Sequence, residues 1–400
     1  MRILIIGHFG KRNIGDEIIL LSQMQILTKK FGECEFVVYT YDKVFTSQIY
    51  KKYNYKIETI QAFGLRNSLI STVEQFKKIK DIDFAILGGG GIIQDIYFSY
   101  GILRYLLPVY ICLLKNIPFY TFAIGVYKFN YSLNRSLFDF ILKHAHGISV
   151  RDEVSAKNIK NINPNIKVYE ILDAALMFDT TYLENTILNN NSLTLVFRDF
   201  FEPYLDDIQS LILKLKENNH FDKINLIVFE NNQVEIDLAN KMSNILSSNF
   251  KVDVYNDIDP INYLNLLNQS SIVVTGRLHG LLPSLILKKT LVCMSYAPKI
   301  ESFCDKNSIP YLKFDDLKNI KNINLNTYVF NTSKTNVLGN LHIETTTMFI
   351  DKIKNTYKNK NKINLFKKVF ILSKLFFYGN ILIFIHIFNK LSNKKIDKES

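Results

Sequence analysis

The sequence predicts an α/β protein built from two doubly wound, Rossmann-like units facing a cleft, followed by an apolar helical tail. Three observations carry that expectation. Short β-rich runs alternate with stretches of helical periodicity, the pattern of parallel sheets covered by helices on both faces. The series of runs occurs twice, with a polar break between. Several runs pass directly into glycine or arginine, the end at which ligands bind in such sheets.

In order, strands are expected at 2–6, 35–40, 83–87, 118–123 and 147–150. The first leads into a loop with glycines at 7, 10 and 15 and a helix opening near Gly15 and Asp16. The third runs into four glycines, Gly88, Gly89, Gly90 and Gly91. Neither spacing is that of the dinucleotide fingerprint. Asn189 to Ser192, after Asp179 to Tyr182, is polar and rich in turn formers, which makes it the linker candidate. A second series follows at 193–197, 224–229, 251–255, 271–274 and 290–294. The expected division is an N-terminal domain at 1–185, a second domain at 186–345 and a basic and apolar tail at 346–400.

The chemistry concentrates at Ile272-Val-Val-Thr-Gly-Arg-Leu-His-Gly280, where a strand hands over to a helix with Gly276 as the turn. The first amides of a helix lack intrahelical partners and carry the positive end of its dipole. Arg277 and His279 add donors to a place already suited to a carboxylate or phosphate. A structural arginine and a satisfied histidine are the bland alternative, and the helix-start context favours the ligand.

Several segments accompany this one in a fixed order: Met1 to Glu17, Asp83 to Asp95, Pro118 to Gly125, Ile148 to Ser155, Arg198 after Leu193 to Phe197, and Thr275 to Gly280. Together they resemble the polysaccharide pyruvyl transferase family over roughly residues 1 to 300. The resemblance implies a glycosyltransferase-B-like arrangement. It also implies transfer of a pyruvyl group from phosphoenolpyruvate to two hydroxyls of a sugar, in a cell-surface polysaccharide or its lipid-linked precursor. Arg198, Arg277, Leu278 and His279 are then expected to hold the donor, which carries a carboxylate and a phosphate. Protonation of the methylene carbon and the oxocarbenium-like charge that follows call for an acid and a carboxylate. His279 and Asp95 are the candidates, with acid and base left open between them. Gly88 to Gly91 and Gly276 are expected to bring backbone close to ligand, and His8, Asn13 and Asp16 are candidates for the acceptor side. Asp16 is also well placed to cap the first helix, the reading slightly preferred. Arg151 and Asp152 are expected to tie loops together.

Two other classes compete. A nucleotide-sugar glycosyltransferase would want a metal-binding D-x-D, which occurs as Asp81-Ile-Asp83 and Asp257-Ile-Asp259. The first begins a strand at the wrong end, and the second sits in a capping turn before Pro260, so no metal and no cofactor are expected. An inactive glycan-binding scaffold would leave Arg198, Arg277, His279 and Asp95 unexplained.

Four hundred residues with a hydrophobic share of 48% can fill two cores. Lys+Arg 49 against Asp+Glu 37 gives a net charge of +12, which suits nucleic acid, an acidic glycan or an anionic membrane. Nucleic acid is not expected, because no binding module appears and much of the excess lies toward the C-terminus. Between Asp351 and Lys368 there are seven lysines. Cys34, Cys112, Cys293 and Cys304 show no ligand spacing and read as buried thiols of a reducing compartment. The first apolar run is too short for a signal peptide, so a cytoplasmic location is expected. Val369 to Phe388 is strongly apolar but interrupted by Lys374, Asn380 and His386. Association with an anionic membrane surface is the first expectation for it, docking on the protein's own surface the second, and a true span the third.

Overall fold

The structure, a computed structural model, describes residues 1–62, 68–96, 101–183, 191–332 and 343–359, with 368, 369 and 373. The apolar stretch Val369 to Phe388 and its flanking lysines fall almost wholly outside the described residues, as do residues 189 and 190 of the linker candidate. Two compact units emerge. The first comprises 1–10, 26–174 and 343–359, and the second comprises 11–25 and 175–332.

The sheet of the first unit contains β1 (Arg2–Phe9), β2 (Glu35–Thr40), β3 (Lys56–Gln61), β4 (Phe84–Gly88), β5 (Phe119–Ile124), β6 (Gly147–Val150) and β7 (Tyr169–Glu170). Their order is β3-β2-β1-β4-β5-β6-β7, and all neighbours pair in parallel. A central parallel strand is buried on both faces, which is why β1 and β5 read as unbroken apolar runs and not as alternation. Leu4, Ile6, Ala85 and Leu87 pack with Leu106, Val109, Tyr110, Phe138 and Ile141 of the helices Leu103–Leu114 and Ser132–Leu142. The helix Ile343–Thr356 belongs to this unit although it follows the second in sequence. Phe349 lies 6.2 Å from Phe122, and Thr356 shares a 2.7 Å hydrogen bond with the Tyr120 hydroxyl.

The second unit repeats the plan with β8 (Ser192–Val196), β9 (Lys223–Ile227), β10 (Lys251–Tyr255), β11 (Ile272–Thr275), β12 (Thr290–Ser295), β13 (Tyr311–Lys313) and β14 (Val329–Asn331). The order is β10-β9-β8-β11-β12-β13, with β14 antiparallel on β12. Leu193, Leu195, Ile224, Leu226 and Val274 form its core with Leu211, Leu215 and Met242 of the flanking helices. Both sheets therefore place the first strand of their series at the middle, the doubly wound order in which ligands gather beyond the carboxyl ends of the central strands.

All four cysteines are buried free thiols, with the Cys293 and Cys304 sulfurs 3.7 Å apart. Among the described residues no helix is long and apolar enough to cross a membrane.

Candidate functional site

The second unit assembles the arginines. Gly276 ends β11 with no side chain, and a Cβ there would lie 2.2 Å from the Phe201 ring. Phe201 sits on the 3-10 turn Asp199–Tyr204, which opens at Arg198, and its amide bonds the Arg198 carbonyl. Gly276 thus lets the loop after β11 lie flat on the loop after β8. Arg277 and Arg198, 79 residues apart in sequence by subtraction of their numbers, come to share one carboxylate.

That carboxylate is Glu230, which follows β9 and is 31% exposed. It accepts from Arg277 Nη1 at 2.9 Å and lies 3.7 Å from Arg198 Nη2. Arg277 is only 6% exposed. Its Nε donates to the Phe197 carbonyl at 2.9 Å, its Nη2 bonds Glu235, and its guanidinium stands 4.6 Å from the Phe229 ring centroid. Three of the five N–H donors of an arginine are so engaged. Glu235 is 3% exposed and accepts from the Phe229 and Glu230 amides as well. Burial pushes its pKa above the ordinary carboxylate value, against the opposing pull of Arg277 and those amides. The expectation of Arg277 as an open donor needs correcting here: it is the centre of a buried ion-pair network that fixes the start of the helix Leu278–Ile286.

Arg198 is the more accessible partner, 29% exposed. Its Nη1 donates to the Tyr296 hydroxyl at 3.1 Å, and Phe200 and Tyr296 flank it at 5.5 and 5.7 Å. Its carboxylate neighbours are loose, Asp199 at 3.6 Å and Glu230 at 3.7 Å. Leu278 and His279 are half-buried at the first turn of the helix that Arg277 caps, and Tyr263 donates to the His279 carbonyl at 3.2 Å. The arrangement offers one accessible guanidinium, a helix start and an imidazole, a set that matches a small dianion.

Asn13 and Asp16 belong to this same unit, whereas His8 belongs to the first. Asn13 donates from Nδ2 to Glu230 at 3.2 Å, and its Oδ1 accepts from the Gly15 and Asp16 amides. The cap of the helix Ile14–Phe31 is therefore Asn13 and not Asp16, which lies in the first turn where the dipole favours an acid. His8 ends its strand beside Tyr41 and hydrogen-bonds the Tyr105 hydroxyl at 2.5 Å.

In the first unit, Gly89 and Gly90 have φ of 86° and 75°, which explains two of the four glycines as a left-handed turn. Gly88 and Gly91 are needed for space, since Cβ atoms there would meet the Phe122 carbonyl oxygen at 2.2 Å and the Tyr127 ring at 2.9 Å. Arg151 pairs with Asp173 and Asp152, and Asp152 caps the helix Glu153–Ile162, so this pair does tie loops together. Asp83 accepts from the Arg2 amide, Asp257 pairs with Arg12, and Asp259 caps the helix Pro260–Gln269.

Asp95 departs from its expected role. It is 1% exposed, and its oxygens accept from the Asn130 amide at 2.9 Å, the Tyr131 amide at 3.1 Å and Asn134 Nδ2 at 3.1 Å. A carboxylate so saturated anchors the start of the helix Ser132–Leu142 and has little capacity left for a sugar hydroxyl. Asp95→Ala should therefore lower the melting temperature while donor affinity stays unchanged, each stranded donor costing about 1–3 kcal/mol. An unshifted melt with lost turnover would return Asp95 to the chemistry.

Glu230, Glu235 and Tyr296 were not singled out in the sequence, although the first and last each follow a strand of the second series as Arg198 and Arg277 do. The strand-end rule that singled out the arginines was available for both. Glu235 gives no such signal, lying inside an ordinary helix.

The family model for polysaccharide pyruvyl transferase matches residues 13–298. No curated protein matches the sequence. Among solved structures the chain is similar to a UDP-GlcNAc 2-epimerase from Methanocaldococcus jannaschii, with 15% identity, a TM-score of 0.54 and coverage of 83% of this chain and 95% of that one. It is similar also to a glycosyltransferase from Rickettsia africae, with 15% identity, a TM-score of 0.52 and coverage of 91% and 99%. At such identities the likeness carries the fold alone, an α/β protein with two Rossmann-like sheets of the glycosyltransferase-B kind.

Proposed function

We propose that this chain, which belongs to the polysaccharide pyruvyl transferase family, joins the pyruvyl carbon of phosphoenolpyruvate as a ketal to two hydroxyls of a sugar in a cell-surface polysaccharide or its lipid-linked precursor. The observation that supports the donor best is the convergence of Arg198 and Arg277 on the Glu230 carboxylate, with Arg277 at the start of the helix Leu278–Ile286. A three-carbon frame with a carboxylate and a phosphate asks for that density of fixed donors.

The chemistry asks the following of the residues. A proton adds to the methylene carbon of the enol, and the first sugar hydroxyl bonds the carbon bearing the carboxylate, losing its own proton. The bond from that carbon to the phosphate oxygen then breaks, and the second hydroxyl closes the ketal with loss of its proton. Arg198 and the amides of Leu278 and His279 grip the anion. Arg277 holds them in place and adds charge. His279 supplies or stabilises the proton.

The test is direct. Purified full chain is incubated with phosphoenolpyruvate and candidate sugar acceptors, and phosphate release is followed with the mass of the product. Acceptor-dependent phosphate together with the mass gain of one pyruvate ketal is the expected result. A thermal shift with a nucleotide-sugar and none with phosphoenolpyruvate would favour the glycosyltransferase alternative, to which the shared fold is equally suited. A shift with glycan alone would indicate a binding scaffold.

A further inference from the structure

Gly15 has no conformational reason to be glycine. It lies in the helix Ile14–Phe31, where glycine is the weakest of the ordinary helix formers, and it is absent from the left-handed positions. What excludes a side chain is His279. A Cβ on Gly15 would stand 2.3 Å from Nδ1, 2.8 Å from Cγ and 2.9 Å from Cβ of that histidine, and real Cβ atoms essentially never come under 3.0 Å. Both residues belong to the second unit.

The backbone that carries Gly15 is pinned. The Ile14 amide donates to the Phe229 carbonyl at 3.1 Å, and the Asn231 amide donates to the Arg12 carbonyl at 3.2 Å. Asn13 bridges to Glu230, the carboxylate that meets Arg277 and Arg198, while its Oδ1 receives the Gly15 amide at 3.0 Å. With the turn held at so many points, a methyl group at 15 would displace the imidazole and not the helix.

We propose that Gly15 is a positioning residue for His279, its bare Cα forming the seat of the imidazole. Asn13 keeps that seat in register with the two arginines through Glu230. The proposal rests on the pyruvyl transfer reading only for its kinetic consequence, because the packing of Gly15 against His279 belongs to the fold itself.

The test combines Gly15→Ala with His279→Ala in the full chain. Gly15→Ala is expected to lower the melting temperature when His279 is present. In the His279→Ala background it should be neutral or stabilising, since the clash is gone and alanine is the better helix former. In a proton-detected spectrum of the imidazoles, with the His279 signal assigned by its loss in His279→Gln, Gly15→Ala should shift that resonance and its titration midpoint. With phosphoenolpyruvate and an acceptor, kcat should fall about 10- to 100-fold with KM for the donor nearly unchanged, as a displaced but still bound group requires. Equal losses of melting temperature in both backgrounds, or an unmoved His279 resonance, would overturn the proposal. Failure of the functional reading looks different: no variant, nor the wild type, would turn over phosphoenolpyruvate, while the melts and spectra would still report on the seat.

Discussion

Alanine at Arg277 is expected to destabilise the second unit by about 3–5 kcal/mol, the usual consequence of removing one partner from a buried ion pair. The reason is Glu235, 3% exposed, whose carboxylate would keep the Phe229 and Glu230 amides but lose the Arg277 guanidinium. The Phe197 carbonyl and Glu230 lose a donor at the same time. Thermal or urea melts of the full chain measure the loss. Asp or Glu neutralisation offers a control: Glu235→Gln combined with Arg277→Ala should recover part of it, with a coupling of roughly 0.5–3 kcal/mol. Arg277→Lys is the variant that separates fold from ligand. Lysine keeps a charge for Glu235 but lacks the planar fork that spans Phe197, Glu230 and Glu235, so it should be milder in the melt and still weaken phosphoenolpyruvate in calorimetry by loosening the helix start that Arg277 holds. A melt for Arg277→Ala within error of the wild type would sink the structural role given to this residue.

The sequence showed the strands that matter most and hid the ones at the margins. Ten runs were expected, and each corresponds to a strand of the structure, from Arg2–Phe9 through Thr290–Ser295. Nine of them lie inside their sheets, where burial on both faces leaves a plain apolar signature, and the tenth, the edge strand Lys251–Tyr255, shows instead the alternation of a half-exposed strand. Lys56–Gln61 and Tyr169–Glu170 are edge strands, half-exposed, with charged and polar residues where a buried strand would carry valine or isoleucine. Val329–Asn331 is short and only partly buried, and nothing local distinguishes it from a loop. The site was legible to the extent that chemistry follows a strand end. Arg198, Arg277 and His279 were singled out that way, and the structure places the two arginines at one carboxylate, Glu230. Asp95 was misread because the same signal marks a carboxylate that closes a turn, and only its three donors reveal which kind it is. Asn13 and Asp16 were assigned together with His8 because all three stand on one short loop in sequence. The chain passes from one compact unit to the other within that loop, a fact visible only in long-range contacts such as Asn13 with Glu230.

Replacing His279 by alanine is the second change with a large expected effect, on turnover where that of Arg277 falls on stability. A group that gives or stabilises a proton in the transition state contributes about 10²–10⁴-fold to rate. The imidazole is half-buried at the first turn of its helix, one residue beyond Leu278 and two beyond Arg277, with its Nδ1 side against Gly15. His279→Ala should therefore lower kcat by that range while donor affinity changes much less, the pattern of an interaction realised in the transition state. His279→Gln keeps a hydrogen bond of similar reach but cannot carry a proton at neutral pH, so it divides binding from proton transfer. If glutamine restores donor affinity but not turnover, the imidazole is the acid. If turnover is near normal with glutamine, His279 is a binding residue only. The proton would then have to come from another group at the arginines, and the Tyr296 hydroxyl, 3.1 Å from Arg198, is a candidate. Tyr296→Phe in the His279→Gln background would decide between them, since a further collapse of kcat is expected only if that hydroxyl has taken over the transfer.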